Sequence, residues 1–389
     1  MGSCGCRPSS EGMAAVAVLH NTLDLRGGAD AVCLQVCAAL DVAHDVTLYT
    51  ISDTDPATLG PRFDVDVDVP VRSPPGSGAV AGLLSAAAPR VGPQLPLRSA
   101  LLERFFRREA DGYDLAVSTA NEFALPLPSV QYVHYPQFHL AALEDDAPGR
   151  PDRLWSRLAG PGDRCLPADA RLLANSAWTA SVVEEIYGRR PEVVYPPVDP
   201  VPEPSPWAAR EPGVVVLGRL APDKRILDAI EVVDRLRARG HDVHAHVVGS
   251  APAAYRTYVR RVERAAARRA YVHLGRDLPR ARIEALLGSH RYGLNAKPEE
   301  HFGMALAEFV AAGMVAFAPD DGGQREVLAG RDDRLFDSLD EAVDLVEAAI
   351  ETDARPVLRR DRFGRDRFRD AIRDRVDRAL GDAGEGAHR

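Results

Sequence analysis

Two glutamates near the carboxyl end of a predicted strand have the spacing of a paired carboxylate site. Glu300 and Glu308 are separated by seven residues in the run KPEEHFGMALAE, which begins at Lys297. A strand-to-helix turn is predicted here, which puts Glu300 in the loop and Glu308 about two helical turns further on, at about 1.5 Å per residue. Both carboxylates can then accept hydrogen bonds from the hydroxyl groups of one ligand. Two solvated glutamates near a helix start are the alternative interpretation.

Backbone groups between the two glutamates form a predicted anion site. The N–H groups of Phe302, Gly303 and Met304 would point out of the helix N-terminus, where the helix dipole also favours negative charge. Gly303 permits close approach of a ligand to the backbone. A nucleotide sugar requires an anion-binding site between two carboxylates that accept hydrogen bonds from hydroxyl groups. One carboxylate would bind the sugar and the other the ribose.

A basic loop follows another predicted strand. Arg219 and Lys224 are five residues apart, directly after the apolar run 213–218. Because α/β sheets bind ligands at the carboxyl ends of their strands, both cations could bind a diphosphate. Lys224 is one of only two lysines among 48 basic residues, and a compact ammonium is chemically distinct from a planar guanidinium. A solvated basic turn is the alternative for Arg219.

Short apolar runs alternate with helical periodicity along the chain, which predicts βαβ units and parallel sheets. A glycine-containing turn at 25–29 follows the first strand. The predicted strands are 14–20, 45–51, 115–118, 130–134, 172–175 and 193–195, followed in the second half by 213–218, 243–248, 271–274, 292–296 and 315–318. The predicted helices are 32–40, 179–187, 226–239, 255–267, 303–312 and 363–380.

A proline-rich segment separates the two halves. Residues 196–206 contain six prolines, which favours an extended, stiff linker because proline fixes φ and disfavours a helix before it. With 389 residues, two domains are expected. We therefore predict a disordered N-terminal extension (1–12), a first domain (13–200), a second domain (201–360), and a C-terminal helix and tail (361–389).

Composition excludes several classes of protein. A net charge of −9 argues against nucleic acid as the main partner. No apolar run reaches the roughly 18 residues of a membrane span, and residues 1–12 lack the apolar core of a secretory signal. Five cysteines cannot form a disulfide framework, which predicts a reducing, cytoplasmic location. The basic amphipathic stretch 98–108 could rest on an anionic membrane surface or pack on the first sheet as a crossover helix.

Three patterns suggest metal ligands but lack a complete set. Strict Asp/Val alternation over 64–69 predicts an edge strand with the aspartates outward. Cys33 and Cys37 are one helical turn apart, as expected of core residues. Of the histidines at 241, 244 and 246, the last two share one face of a predicted strand, yet no carboxylate is spaced to complete a site. We therefore expect no metal.

The motifs together resemble the family-4 glycosyltransferases of the GT-B fold. In the second half the resemblance rests on Gly218–Leu220 with Lys224, on the two spaced glutamates, and on Asp321–Glu326. In the first half it rests on four segments: the glycine loop 27–29, the histidine segment 133–136, and the stretches 175–179 and 195–199. The match runs over about residues 14–380 in the family's order.

The resemblance implies two Rossmann-like domains facing each other across a cleft, with a C-terminal helix that crosses back to the first domain. It implies retaining transfer from a nucleotide-sugar donor to a glycan or lipid-linked acceptor, without a metal or other cofactor. Arg219 and Lys224 would hold the diphosphate, and His134 would line the cleft near the anomeric carbon. The remaining donor-binding positions that the resemblance implies are Gly27, Gly28, Glu300, His301, Phe302, Gly303, Met304 and Glu308.

The sequence leaves the choice of donor open. Residues 131–136 look most similar to α-1,2-mannosyltransferases that extend lipid-linked oligosaccharides, which favours GDP-mannose and peripheral contact with the inner face of the membrane. His301 and Lys297 stand where relatives carry smaller residues, so UDP-sugars remain candidates. The same motifs are also compatible with a sugar-nucleotide epimerase and with a non-catalytic nucleotide-sugar binding protein.

Overall fold

A computed structural model of the chain describes residues 13–78, 82, 95–137, 166–252 and 255–387. The predicted N-terminal extension, 1–12, lies outside these residues. The described chain contains two parallel sheets with helices on both faces, as the resemblance to GT-B proteins implied.

Within the described residues, the first sheet has seven strands. They are β1 (Ala15–His20), β2 (Asp45–Thr50), β3 (Val71–Arg72), β4 (Leu115–Ser118), β5 (Ser129–Val133), β6 (Arg171–Ala174) and β7 (Glu192–Val193). Its helices are α1 (Gly28–Leu40), α2 (Pro56–Leu59), α3 (Leu95–Phe106) and α4 (Ala177–Tyr187). The spatial order is β3-β2-β1-β4-β5-β6-β7. The strand order therefore reverses between β1 and β4, the position at which such sheets bind ligands.

The second sheet has six strands in the described part of the chain. They are β8 (Glu211–Leu217), β9 (Ala245–Gly249), β10 (Val272–Arg276), β11 (His290–Leu294), β12 (Val315–Pro319) and β13 (Leu335–Phe336). The helices are α5 (Ile226–Ala238), α6 (Arg256–Ala267), α7 (Arg280–Ser289), α8 (Met304–Ala311), α9 (Gln324–Val327), α10 (Leu339–Glu351) and α11 (Arg365–Ala387). The order β10-β9-β8-β11-β12-β13 reverses between β8 and β11.

Strand β1 shows why the strands read as uninterrupted apolar runs. Val16 and Val18 belong to one buried cluster, whereas Ala17 and Leu19 belong to another on the opposite face. A parallel sheet covered by helices on both faces needs apolar residues at every position rather than at alternate ones. The predicted strands and helices outside 64–69 are confirmed, with ends that differ by a few residues in most cases.

The C-terminal helix α11 packs on the first domain, as expected. Phe368, Ile372 and Val376, four residues apart, join the buried cluster of the first sheet. At its start, the Arg365 guanidinium contacts Asp199 Oδ2 at 2.6 Å and Asp64 Oδ2 at 2.8 Å. The helix runs to Ala387, seven residues beyond its predicted end.

The predicted edge strand over 64–69 is wrong. The alternation itself is present, since Val65, Val67 and Val69 are buried and Asp66 is exposed. However, pairing with β2 begins only where Leu48 N–H donates to the carbonyl of Pro70. Short β3 therefore forms the edge of the sheet, and 65–69 precedes it in the chain as an irregular segment.

Helix α3 contains most of the basic amphipathic stretch 98–108. Leu102 and Phe106 are buried in the cluster of the first sheet. Arg98 is 3% exposed, and its guanidinium donates to the carbonyl of Ile51 and contacts Asp24. These contacts are those of a crossover helix packed on the sheet. No helix of the described residues is long and apolar enough to span a bilayer.

Candidate active site

Two loops of the second domain meet at its switch point. Strands β8 and β11 are neighbours and parallel, so the loops that follow them leave the same edge of the sheet. One loop carries Lys224 and the other Glu300. Lys224 Nζ donates to Glu300 Oε2 at 2.7 Å, which joins the two motifs that the sequence indicated separately.

Both lysines of the chain contact the same carboxylate. Lys297 Nζ lies 3.6 Å from Glu300 Oε2 and donates to the carbonyl of Glu299. Burial alone would raise the pKa of the Glu300 carboxyl, but the charges of Lys224 and Lys297 outweigh it and hold that pKa below its usual range. Glu300 is therefore an anion that accepts hydrogen bonds.

The N-terminus of α8 lacks a side-chain cap among the described residues. Gly303 precedes the helix with a φ of 99°, a left-handed conformation that glycine adopts readily. No side chain within the described residues caps this helix, so its first N–H groups need another acceptor. Phe302 is 2% exposed and packs on Tyr195 and Phe363, which leaves only its backbone for ligand binding.

The glycine loop of the first domain approaches this helix. Met304 Cγ lies 3.1 Å from the position that a Cβ on Gly28 would occupy. Gly27 precedes α1, and its N–H donates to Asp30 Oδ2 at 2.8 Å. The space beside Gly27 is open, because no atom lies within 4 Å of a Cβ built there. Gly28 therefore borders the second domain, whereas Gly27 faces open space.

Two further predicted donor-binding side chains, Glu308 and Arg219, have partners of their own. Glu308 forms an ion pair with Arg280 at the start of α7, and Arg280 also contacts Glu284 at 2.8 Å. Arg219 is 47% exposed and pairs with Asp223 at 3.4 Å. Arg219 thus lies on the same loop as Lys224. Within the described residues it forms no ion pair with Glu300.

His134, the first residue after β5, is held by the backbone around it. Its ring Nε2 lies 3.2 Å from the carbonyl of Thr119, so this nitrogen is the donor and Nδ1 is the ring's acceptor. The His134 N–H donates to Asn121 Oδ1, and its carbonyl accepts from Asn175. Burial lowers the pKa of His134 to about 4, so the ring is neutral at pH 7.

His301 packs against the first domain and does not face solvent. Its ring stacks on Tyr135 with a centroid separation of 4.1 Å and an interplanar angle of 5°. Trp178 adds a third nearly parallel ring, 5.8 Å away. Burial, reinforced by the charge of Lys297, lowers the pKa of His301 to about 3. A neutral aromatic cluster therefore bridges the two domains beside Glu300.

Glu326 is a second bridge, which sequence reasoning missed. Its carboxylate accepts from the backbone N–H groups of Ala177 and Trp178, both at 2.9 Å, at the N-terminus of α4. Tyr195 donates to the same carboxylate at 3.0 Å. The motif 321–326 contained this residue, but only the fold shows that a glutamate of the second domain binds the start of a first-domain helix.

Comparison with known proteins gives a family match in the second domain. Residues 199–364 match the family model described as Glycosyl transferases group 1, and this stretch contains both loops of the Lys224–Glu300 pair. No curated protein matches the chain in sequence. The family model thus covers the second domain, and the architecture of the described residues is that of the GT-B fold.

Several solved structures share the whole fold. The Anabaena protein Alr3699/HepE, in complex with UDP and glucose, is 18% identical, with a TM-score of 0.67 over 94% of this chain and 99% of its own. An α,α-trehalose 6-phosphate synthase from Burkholderia multivorans is 13% identical, with a TM-score of 0.64 over 96% and 100%. WaaG, a glycosyltransferase of lipopolysaccharide biosynthesis, is 15% identical, with a TM-score of 0.60 over 92% and 95%. At these identities the likeness shows the fold.

Proposed function

We propose that this protein is a retaining glycosyltransferase that moves a sugar from a nucleoside diphosphate donor to a hydroxyl acceptor. The observation that carries the proposal is the Lys224–Glu300 pair at the switch point of the second sheet, beside the uncapped N-terminus of α8. A cation, an anion and free backbone donors stand together there, and a nucleotide sugar offers a partner to each.

The diphosphate would bind on the positive side of this site. Lys224 and Arg219 supply charge, and the N–H groups at the start of α8 supply hydrogen bonds and the helix dipole. As the bond from the anomeric carbon to the diphosphate oxygen breaks, negative charge grows on that oxygen. Fixed positive groups stabilise this charge, which is the role that a metal ion has in other transferases.

The sugar and the ribose would bind to the two spaced carboxylates. Glu300 and the backbone of Phe302–Met304 would bind sugar hydroxyls, with His301 packed alongside, and Glu308 would bind the ribose. In the transfer step the acceptor oxygen bonds to the anomeric carbon on the face that the diphosphate leaves. Because attack and departure share one face, the configuration is retained. The acceptor's proton passes to the departing phosphate oxygen.

His134 and the glycine loop would complete the site from the first domain. The neutral ring of His134 can approach the anomeric carbon without an added charge. Gly27 and Gly28 would let the donor pass close to the start of α1, opposite Met304. Contact between the domains would exclude water from the sugar and so limit hydrolysis.

Two donors are candidates. The segment 131–136 resembles mannosyltransferases that use GDP-mannose and lipid-linked acceptors, which favours that donor and a peripheral membrane location. A UDP-sugar is the second candidate, because the Anabaena protein with the same fold was solved with UDP-glucose. The acceptor is proposed to be a glycan, bound by the loops of the first domain.

A thermal-shift panel tests the proposal. GDP, UDP, ADP and their sugar conjugates would each be added without metal, to wild type and to Lys224→Ala. A ligand at 100 times its Kd stabilises the fold by about 2.7 kcal/mol, which raises the melting temperature clearly. A shift with GDP-mannose alone supports the mannosyltransferase, and a shift with UDP-sugars supports the second donor. No shift with any nucleotide contradicts a donor site.

Product analysis separates a transferase from an epimerase and from a binding protein. Incubation with the donor that shifts the melting temperature should give a glycoside only when an acceptor is present. Release of free nucleotide without an acceptor would instead support an epimerase. Binding without any turnover, across a panel of glycan and lipid-linked acceptors, would support a non-catalytic binding protein.

A further inference from the structure

Three histidines meet on one face of the second sheet, away from the cleft. His246 lies in β9, His244 just precedes that strand, and His290 begins β11. One ring nitrogen from each lies within 4.8 Å of the other two. His290 is 2% exposed, and the other two are half-buried. The sequence pointed only to the run 241–246, because His290 follows His244 by 46 residues.

Strand β8 lies between β9 and β11, and one of its residues creates the space in which the rings meet. A Cβ on Gly213 would lie 2.4 Å from His244 Nε2 and 2.6 Å from His290 Cδ2. Real Cβ atoms do not approach ring atoms so closely, because this distance is well inside van der Waals contact. Any larger residue at 213 would therefore separate the two imidazoles.

A hydrogen bond orients the His290 imidazole as a metal ligand. His290 Nδ1 lies 2.8 Å from the carbonyl of Leu286, so Nδ1 carries the hydrogen and Nε2 carries the lone pair. A histidine that binds a metal usually donates a hydrogen bond from the N–H of its other ring nitrogen in this way. His290 Nε2 lies 3.1 Å from His244 Nε2. Two nitrogens on a tetrahedral zinc ion, each about 2.05 Å from it, are about 3.3 Å apart.

A carboxylate lies at the edge of the cluster. Glu211 is the nearest carboxylate, with Oε2 3.5 Å from His244 Nε2.

We propose that His244, His246 and His290 bind a divalent transition metal ion of the zinc class, with Glu211 or water as the fourth ligand. Imidazole nitrogens in a tetrahedral set suit Zn²⁺ and not Mg²⁺ or Ca²⁺, which prefer oxygen. The site lies toward the amino ends of the strands, whereas the Lys224–Glu300 pair lies beyond the carboxyl ends. The ion would therefore tie β9 to β11 across β8, and its role would be structural.

Calorimetric titration of Zn²⁺ into tag-free, chelator-treated full-length protein tests the site. We expect one saturable Zn²⁺ per chain and no saturable Mg²⁺ binding. Changing a residue that only supports a metal ligand typically lowers metal affinity about 10- to 100-fold. His246→Ala removes a ligand itself, so it should lower the Zn²⁺ affinity by at least this much. Lack of saturable Zn²⁺ binding by wild type, or full affinity in His246→Ala, overturns the proposal.

His241→Ala is the matched control. His241 belongs to a second group of possible ligands, with Glu347 and Glu351, and His241 Nε2 lies 2.8 Å from Glu347 Oε1. The proposed site requires that this variant keep the wild-type affinity. If Zn²⁺ binding is lost in His241→Ala and kept in His246→Ala, the ion binds at the second group and the proposal is wrong.

Gly213→Ala and His244→Gln provide independent tests if His246→Ala folds poorly. The first keeps every ligand but fills the space between two rings, so Zn²⁺ affinity should fall while the far-ultraviolet spectrum is kept. His244→Gln replaces a ligand that is partly exposed, so Zn²⁺ affinity should also fall in this variant. Unchanged affinity in both folded variants contradicts the site. Nucleotide-induced thermal shifts should persist in all of them, which separates this site from the donor site.

Discussion

Lys224 and Glu300 form an ion pair with a distance of 2.7 Å between Nζ and Oε2, and each residue stands on a different loop of the switch point. Both side chains are less than one-fifth exposed. In the proposed donor site, the pair fixes the distance between the phosphate-binding cation and the hydroxyl-binding anion. A diphosphate bound there would share Lys224 with this carboxylate, which would link donor binding to the position of Glu300.

Replacing Lys224 should weaken donor binding without unfolding the protein. A charge-assisted hydrogen bond contributes about 1.5–3 kcal/mol, so Lys224→Ala should raise the donor Kd about 10- to 100-fold, as measured by calorimetry. Arg225→Ala is the control, because Arg225 is the next cation in the chain and pairs with Asp228. Equal losses in the two variants would mean that general positive charge, and not Lys224 itself, binds the donor.

Glu300→Gln tests the second half of the pair against a neighbouring glutamate. The amide keeps the shape of Glu300 but removes its charge, so hydrogen bonds to sugar hydroxyls weaken. We expect kcat to fall at least about tenfold, since oriented charged groups in such sites typically contribute more than about 1.4 kcal/mol. Glu299→Gln should be close to wild type, because Glu299 is exposed. Unchanged turnover in Glu300→Gln would show that the assignment of Glu300 is wrong.

The elements and their order could be predicted from the sequence because buried parallel strands leave a strong signal. Every residue of β4 is buried, and an apolar run of that kind gives a strand whose ends are visible in the sequence. The segment 64–69 shows the limit of this reasoning. Its alternation describes which side chains are buried, but whether the backbone pairs depends on the neighbouring strand, which no local pattern encodes.

Candidate site residues could be indicated from the sequence within single motifs, but the contacts that bring different parts of the chain together could not. Glu300, Gly303 and Glu308 lie on one loop and helix, so their spacing carries information. Arg280, which binds Glu308, lies 28 residues earlier in the chain, and nothing near it in sequence indicates this contact. The histidine cluster was missed for the same reason, since it depends on the order of β9, β8 and β11.

Glu326 should stabilise the arrangement of the two domains. Glu326→Ala removes three hydrogen bonds to a carboxylate and leaves the N–H groups at the start of α4 without their acceptor. We expect the free energy of unfolding to fall by about 2–4 kcal/mol, as measured by denaturant titration.

A separate readout distinguishes interdomain positioning from stability alone. Because the proposed donor-binding side chains belong to the second domain, donor Kd should change little in Glu326→Ala, while kcat falls as His134 and Glu300 lose their fixed separation. Glu326→Gln, which keeps one acceptor oxygen, should recover part of both effects. A large loss of donor affinity with unchanged kcat would contradict this positioning role.

His301 should make the fold sensitive to acid. Its pKa is about 3 in the folded chain against 6.5 when unfolded, so the unfolded chain binds the extra proton first as the pH falls. Its contribution to stability is therefore complete above about pH 7 and decreases below about pH 6.5, by at most about 1.4 kcal/mol per pH unit.

His301→Phe keeps an aromatic ring against Tyr135 but cannot titrate. Relative to wild type, this variant should gain about 2 kcal/mol in free energy of unfolding between about pH 6.5 and about pH 4.5, measured by urea titration. A constant difference between the two proteins across this range would show that His301 is not neutral and buried in the folded chain.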